Sequence, residues 1–148
     1  YGGFLRILND RAMRERAKQQ LKQMGVNIPS VDVEISKLSG GQRQAVAVAR
    51  SVYANAKVLL LDEPTAAMGV RESAMILDLI RRLKEKGEVS IIIVAHNYAH
   101  IFDVCDRVNL LQKGEITFDR STKETSVEEL MNLVLHELRS ARESIGRS

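Results

Sequence analysis

The first part of the chain places apolar residues at helical spacing, interrupted by residues that favour turns. Four apolar residues predict a helix over residues 11–24, with Asn9 or Asp10 as its cap and Gly25 as its end. The four residues, which would lie on one side of the helix, are Met13, Ala17, Leu21 and Met24. After a connector with proline and serine, an Ala- and Val-rich stretch predicts a second helix over residues 42–53. The chain therefore opens on two helices.

Two later runs are continuously apolar and too short for helices. Residues 58–61 and 90–95 predict strands that are buried on both faces, which is typical of a parallel sheet. Between them, residues 70–84 predict a helix that ends at Gly87. Because strands and helices alternate, the pattern favours the α/β class.

The chain continues with a short helix and a hairpin. Asn97 can cap a helix that extends to Val104. Residues 107–112 and 115–118 flank a Lys-Gly pair and predict two antiparallel strands joined by a two-residue turn.

A long amphipathic helix is expected at the end of the chain. Ser126 and Glu129 stand at the spacing of a capping box. In this motif a serine side chain and an acidic side chain accept hydrogen bonds from backbone N–H groups at the start of a helix. Apolar residues then recur at helical spacing at Val127, Leu130, Met131, Val134, Leu135 and Leu138. These positions predict a C-terminal helix.

Composition places the chain among ordinary globular domains. Its 148 residues are 45% hydrophobic and 28% charged, which excludes collagen-like, low-complexity and disordered chains. The formal charge of +3 is spread along the chain, so no nucleic-acid partner is expected. No apolar run approaches the roughly 20 residues that cross a bilayer. The single cysteine, Cys105, cannot form an internal disulfide, which favours the cytosol.

The sharpest chemical feature is an apolar strand that ends in two adjacent carboxylates, Asp62 and Glu63. In open α/β sheets, ligands bind beyond the carboxyl ends of the strands. One carboxylate there can hold a hydrated Mg²⁺, and the next can orient and deprotonate an attacking water. The alternative is that the pair ends a strand and solvates a loop.

A serine and two glycines precede the second helix. Ser39, Gly40 and Gly41 would expose backbone N–H groups and the positive end of the helix dipole, an arrangement that suits a phosphate. The alternative is an ordinary N-cap with a flexible approach.

His96 follows the second predicted strand and so lies at another carboxyl end. A histidine there can reach the crevice that Asp62 and Glu63 line. Taken singly, such a histidine is more often structural, and we interpret His100 and His136 in that way.

In this order and spacing, the three features resemble the nucleotide-binding subunit of ATP-binding cassette (ABC) proteins. LSGGQRQ at residues 38–44 resembles the signature motif, VLLLDEPT at residues 58–65 resembles the Walker B strand, and His96 resembles the switch histidine. Within the family, LSGGQRQAVAVAR and DEPTAAMGV are most similar to bacterial importers of monosaccharides such as ribose or xylose. The resemblance implies a P-loop NTPase-like α/β fold with a parallel sheet and flanking helices.

The resemblance also implies cofactors and site roles. ATP and Mg²⁺ are the expected cofactors, with Mg²⁺ held through water by Asp62. Glu63 and His96 are the expected catalytic residues. The residues expected to face the γ-phosphate of ATP bound to a partner subunit are Ser39, Gly40, Gly41 and Gln42. We expect a side chain at Gly41 to block that phosphate without unfolding the subunit.

Departures from the family pattern are equally informative. No Walker A string, G-x-x-x-x-G-K-[ST], occurs among the 148 residues, and Gly69 stands where many members carry an Asp. In the implied fold the Walker A strand lies between the strands at residues 90–95 and 107–112, so the sheet would have a gap. We therefore interpret the chain as a C-terminal portion of an ATPase subunit and expect the segment alone to be inactive.

The resemblance divides the chain into three segments. Residues 1–55 would be part of a helical subdomain that includes the signature motif. Residues 56–120 would be the C-terminal part of a RecA-like ATPase core, incomplete because the Walker A half is absent, and residues 121–148 a C-terminal helix.

Three functions stay open. The first is an ATP-hydrolysing subunit that energises a sugar importer, paired with a second ATPase subunit and with transmembrane permease subunits at the cytoplasmic face of the cell membrane. The second is a soluble ABC ATPase of DNA repair or translation. The third is a truncated, non-catalytic fragment that acts as an interaction module. The sequence does not identify the solute, because other subunits select it.

Overall fold

A computed structural model describes residues 9–145, except for the side chains at positions 140, 141 and 143–145. The chain forms two compact units, the first ending at Val94 and the second beginning at Ala95. The ends of the predicted segments 1–55 and 121–148, before residue 9 and after residue 145, lie outside the described residues. The three-segment division stays a prediction.

The helices and strands follow the predicted order, and the predicted boundaries of the elements up to the hairpin are displaced by three residues or fewer. The first unit contains helix α1 (Asp10–Gln23), a 3₁₀ turn (Ile35–Lys37), helix α2 (Gly40–Tyr53), strand β1 (Val58–Asp62), helix α3 (Val70–Lys86) and strand β2 (Ser90–Val94). The second contains helix α4 (Tyr98–Val104), strands β3 (Arg107–Gln112) and β4 (Glu115–Ser121), and helix α5 (Val127–Ile145).

Local chemistry sets the ends of α1. The Asn9 side chain caps it, accepting a hydrogen bond from the Ala12 N–H at 3.0 Å. The helix stops at Gly25, whose φ of 69° lies in the left-handed region that glycine adopts without steric cost. There the Val26 N–H donates to the Leu21 carbonyl at 2.8 Å and closes the last turn. The predicted cap and stop are confirmed.

Helix α2 is the centre of the first unit, because it contacts α1, α3 and β1. Its inward side carries small residues, and Ala45 is completely buried. Larger apolar side chains of α3 and β1 complete this core; they include Leu59, Leu61, Ile76, Leu77, Leu79, Ile80 and Leu83. Small residues on α2 and large ones on α3 allow the two helices to approach closely.

Strands β1 and β2 pair in parallel, in a register that runs from Val58 beside Ser90 to Asp62 beside Val94. One face of β1 is buried, but Leu60 on the other face is 68% exposed. The prediction that both faces are buried is therefore wrong for the described residues. A strand face is buried only where another element covers it, and among the described elements of this unit α2 packs on β1.

The second unit is built on an antiparallel hairpin of β3 and β4. Both residues of its turn, Lys113 and Gly114, have positive φ, as a type I′ turn requires. Across the strands, Arg107 makes two 2.6 Å hydrogen bonds to the Asp119 carboxylate, and Asn109 makes a third. The hydrogen bonds from Arg107 are the main cause that lowers the pKa of Asp119 below its ordinary value. The predicted hairpin is confirmed.

Helix α5 begins as predicted, at Ser126. The Glu129 N–H donates to the Ser126 hydroxyl oxygen at 3.1 Å, which is one half of the expected capping box. The Glu129 carboxylate accepts from the Thr125 hydroxyl at 2.7 Å. Leu130 is completely buried and anchors the helix, which contacts α4.

Two separate two-stranded sheets result, β1 with β2 and β3 with β4. Strands β2 and β3 belong to different units, so the gap expected between them stays a prediction. Across residues 9–145, no helix is long and apolar enough to span a membrane.

Candidate functional site

The first turn of α2 is closed by reciprocal hydrogen bonds. The Ser39 hydroxyl oxygen accepts from the Gln42 N–H at 3.3 Å, and the Gln42 side-chain oxygen accepts from the Ser39 N–H at 3.1 Å. The Gln42 amide nitrogen also donates to the Asn27 carbonyl at 3.3 Å. Ser39 is thus the N-cap of a complete capping box, which holds the connector against the helix.

The two glycines of this turn occupy different surroundings. A Cβ built on Gly40 has no heavy atom within 4 Å, so this position faces open space. A Cβ built on Gly41 would lie 3.0 Å from the Glu72 Cβ and 3.1 Å from the Met75 Cε on α3. Glycine at 41 therefore permits the close approach of α2 and α3. A side chain at Gly41 would require the Glu72 and Met75 side chains of α3 to shift slightly. The expectation that it blocks a phosphate without unfolding the subunit stays a prediction.

Glu72 is a site residue that sequence reasoning missed. Its Cβ and Cγ would lie 3.0 and 3.4 Å from a Cβ built on Gly41. Hydrogen bonding from Ser39, foremost, and from the backbone of Gly41 and Gly69 lowers the pKa of Glu72. Glu72 is the third residue of α3, whose N-cap is Gly69, so the bond to Gly69 follows the capping-box spacing. The sequence shows that spacing, but it does not show that the Glu72 side chain lies close to Gly41 of α2.

The two predicted carboxylates lie where the parallel strands end. Asp62 is the last residue of β1 and is exposed, and Glu63 follows it with a φ of 44°. The Glu63 N–H donates to the Val94 carbonyl at 2.8 Å, which ties this point to the end of β2. A left-handed conformation in a residue other than glycine costs about 1–3 kcal/mol, and such strain clusters at functional sites. The Glu63 backbone is therefore held in a specific, strained position.

These carboxylates suit a magnesium ion held through its waters. Mg²⁺ takes only one or two carboxylates from a protein and keeps several waters. Asp62 offers an exposed carboxylate at a strand end. In residues 9–145 no group of three or more histidine, cysteine or acidic side chains could hold a metal directly. One exposed carboxylate is enough for an ion that keeps most of its waters, and the role of Asp62 stays a prediction.

His96 belongs to the second unit and is exposed. It precedes Asn97, whose side chain caps α4 by accepting from the His100 N–H at 3.2 Å. The predicted cap is confirmed. An approach of His96 to the two carboxylates stays a prediction.

Two cavities lie on α5. One of about 500 Å³ is lined by residues that include Glu129, Asn132 and His136, and one of about 270 Å³ lies between α5 and the hairpin. The first is a groove along a single helix. No residue of the three motifs lines either cavity.

Comparisons with known proteins agree with the motif pattern. The family model described as ABC transporter matches residues 5–66. The xylose/arabinose import ATP-binding protein of Sulfolobus acidocaldarius is 44% identical over 128 residues, which are 86% of this chain and 51% of that protein. The ribose import ATP-binding protein of Lactococcus lactis (strain IL1403) is 38% identical over 96% of this chain and 26% of that protein.

The chain belongs to the ABC transporter ATPase family. Its fold agrees: the cbiO1 protein of Clostridium perfringens, part of the ABC transporter complex cbiONQ, has a TM-score of 0.69 and 26% identity over 96% of this chain and 57% of its own. The ATP-binding cassette MJ0796, in its dimeric post-hydrolysis state bound to ADP and phosphate, has a TM-score of 0.64 and 26% identity over 80% of this chain and 51% of its own.

The relatives that this chain matches are longer than the chain itself. The chain spans about half the length of the Sulfolobus relative and about a quarter of the Lactococcus relative. The α/β class and the flanking helices predicted from the sequence are confirmed. The resemblance to monosaccharide importers is also confirmed, since the matched relatives are import ATP-binding proteins for xylose/arabinose and for ribose.

Proposed function

We propose that this chain is part of the ATP-hydrolysing subunit of an ABC importer whose solute is a monosaccharide. The observation that carries the proposal is the 44% identity to a xylose/arabinose import ATP-binding protein across the signature and Walker B motifs. The closed first turn of α2 and the strained backbone after β1 add physical support, since each presents its polar groups at an end of an element.

The signature residues would serve an ATP held mainly by another subunit. The first turn of α2 offers backbone N–H groups, the Ser39 hydroxyl and the positive end of the helix dipole. Gly40 faces open space, so a phosphate can approach the backbone there without meeting a side chain. A related cassette was solved as a dimer with ADP and phosphate, which supports a role of this turn across a subunit interface.

The carboxylates would act on an ATP that is bound by the subunit that contains them. Glu63 would accept the proton of the attacking water, and the hydrogen bond from its N–H to Val94 fixes the backbone from which its side chain projects. Asp62 would hold the waters of Mg²⁺, an ion that neutralises phosphate charge when it is bound. His96 would contact the same phosphate.

Partners and location follow from this assignment. The subunit would form a dimer with a second ATPase subunit and dock on transmembrane permease subunits at the cytoplasmic face of the cell membrane. The 148 residues carry no Walker A string, so residues 1–148 alone would not turn over ATP.

The experiment compares phosphate release by the natural protein that contains this chain with release by residues 1–148. Both are assayed with and without reconstituted permease and the monosaccharides xylose, arabinose and ribose. We expect steady hydrolysis by the natural protein, stimulated by its permease, and background release by residues 1–148.

Other outcomes would favour the competing functions. Hydrolysis stimulated by DNA or ribosomes and indifferent to a permease would point to a soluble ABC ATPase. No hydrolysis by the natural protein under any condition would point to an interaction module. Steady turnover by residues 1–148, abolished by Glu63→Gln, would contradict the expected inactivity of the segment.

A further inference from the structure

Arg43 is part of the signature string, but the proposed function gives it no role. It is the fourth residue of α2. Its side-chain Nη1 donates to the Leu38 carbonyl at 2.6 Å, and its backbone N–H donates to the Ser39 carbonyl at 2.9 Å. These two carbonyls belong to the two peptide units that flank the Cα of Ser39. One residue of the helix therefore holds the backbone on both sides of the N-cap.

The peptide unit between Leu38 and Ser39 is held at both of its ends. Its carbonyl accepts from Arg43 at 2.6 Å, and its N–H donates to the Gln42 side-chain oxygen at 3.1 Å. A peptide unit is planar, so fixing its carbonyl and its N–H fixes the orientation of the whole plane. The Ser39 side chain, which projects from the next Cα, accepts from the Gln42 N–H at 3.3 Å. Arg43 and Gln42 together therefore orient the Ser39 hydroxyl.

The bond from Arg43 also ties the first turn of α2 to the core. Leu38 is buried, so its carbonyl belongs to a packed part of the backbone. A hydrogen bond from a guanidinium is charge-assisted, which makes it shorter and stronger than a bond between neutral groups. A cation near a helix N-terminus is otherwise unfavourable, because the helix dipole is positive there. The contact with Leu38 therefore gives a physical reason for an arginine at this position.

We propose that Arg43 is a positioning residue that holds Ser39 in the orientation that receives the γ-phosphate of ATP on the partner subunit. This inference rests on the proposed function, because it requires a phosphate at this turn. Without the guanidinium, the Leu38 carbonyl loses its donor. The peptide unit is then free to rotate about ψ of Leu38 and φ of Ser39, and that rotation carries the Ser39 N–H away from Gln42.

The test uses the natural protein that contains this chain and three substitutions. Arg43→Met keeps an apolar stem and removes both the charge and the donor. Arg43→Lys keeps the charge and one donor group but loses the planar fork. Arg16→Met, at an exposed position of α1, is the matched control for the same residue change. All proteins are compared at a temperature at which thermal unfolding shows them to be folded.

We expect Arg43→Met to lower kcat for ATP hydrolysis by about tenfold, the factor that corresponds to one hydrogen bond from a charged group. The affinity of the substituted subunit for its own ATP should not change, because this turn faces the ATP of the partner. Arg43→Lys should fall between Arg43→Met and the parent. Arg16→Met should match the parent in both measurements.

Amide hydrogen exchange without ATP tests the positioning role independently of turnover. The Ser39 amide should exchange with solvent faster in Arg43→Met than in the parent, and at the parent's rate in Arg16→Met. A charge that only attracts phosphate from a distance would not change this exchange. If Arg43→Met does not fold, Arg43→Lys provides the same two comparisons with the parent.

The outcomes separate this inference from the proposed function. If the parent hydrolyses ATP and the Arg43 variants turn over within a few-fold of it, the inference is overturned. If turnover falls but Ser39 exchange is unchanged, Arg43 acts through its charge and the positioning role is overturned. If the parent does not hydrolyse ATP under any condition, the proposed function fails and the inference fails with it.

Discussion

The two ends of the first unit that carry the predicted site residues differ in how much of their structure this chain supplies. The signature end, residues 39–42 at the start of α2, is held by a reciprocal capping box and lies close to Glu72 of α3 at Gly41. The carboxylate end, Asp62 and Glu63 after β1, follows a strand whose outer face is exposed at Leu60. The signature end is complete within the described residues, and the carboxylate end is built on a half-covered sheet.

This difference reflects the range of the interactions involved. Capping bonds connect residues three apart, and α2 meets α3 through a close contact at Gly41. The carboxylate end needs cover on both faces of a parallel sheet, and such sheets are normally buried on both. We therefore expect the signature end to keep its structure in residues 1–148 and the carboxylate end to depend on further packing.

The largest effect is expected at the carboxylate end in the natural protein. Glu63→Gln should lower ATP turnover by about 10²–10⁴, because the amide cannot accept the proton of the attacking water. ATP binding should persist. Phosphate release and nucleotide binding are measured side by side, with the exposed residue change Glu88→Gln as control. Turnover within a few-fold of the parent would make Glu63 a strand-end carboxylate only.

The two faces of β1 provide the next test, in residues 1–148. Leu59→Ala should lower the free energy of unfolding by about 2–5 kcal/mol, because it empties a buried position that is 5% exposed. Leu60→Ala should change it by about 0.5 kcal/mol or less, because that side chain is 68% exposed. Urea unfolding measures both. Equal costs would mean that the outer face is covered, and the contrast between the two ends would be lost.

The two glycines of the signature end should respond with opposite sign. Gly41→Ala should destabilise the chain by about 1–3 kcal/mol, because the new Cβ meets the Glu72 Cβ at 3.0 Å and α3 must move. Gly40→Ala should stabilise it by about 0.4–1 kcal/mol, because the position is open and the unfolded chain loses freedom. Thermal and urea unfolding give both values. A neutral Gly41→Ala would show that α2 and α3 are loosely packed.

The smallest effect is the pH dependence that Glu72 contributes. Hydrogen bonding from Ser39, foremost, lowers the pKa of Glu72 below its ordinary value of 4.5. Stabilisation by a carboxylate with a lowered pKa is complete above its unfolded pKa and is lost as pH falls through the folded value. Urea unfolding across this acidic range should show a steeper loss in the parent than in Glu72→Gln. If the free energy of unfolding falls equally with pH in both proteins, Glu72 does not stabilise the signature end.

Features that depend on neighbours in sequence were predictable. The Asn9 and Ser39 caps, the Gly25 stop and the hairpin turn were all predicted, because each is set by hydrogen bonds or φ values over a few residues. The order of the motifs predicted the family, which the relatives confirm. Positions of the carboxylates at the end of β1 followed from the length of the apolar run.

The covering of the sheet was not predictable from the same run. A continuous apolar run states which residues can be buried, but whether Leu60 is buried depends on which element packs on its face. In the described structure that face is exposed, while Leu59 packs inward. Burial is therefore a property of the assembled layers and not of the run.

By itself the sequence determined the elements, their caps and the identity of the motifs, because these depend on spacings of a few residues. Only the tertiary structure decided that Glu72 lies close to Gly41 and that Gly40 and Gly41 have different surroundings. Those facts depend on how closely α2 and α3 approach, and that distance is set by the side chains packed between the two helices. Residues far apart in sequence meet only through such packing, and no local spacing records it.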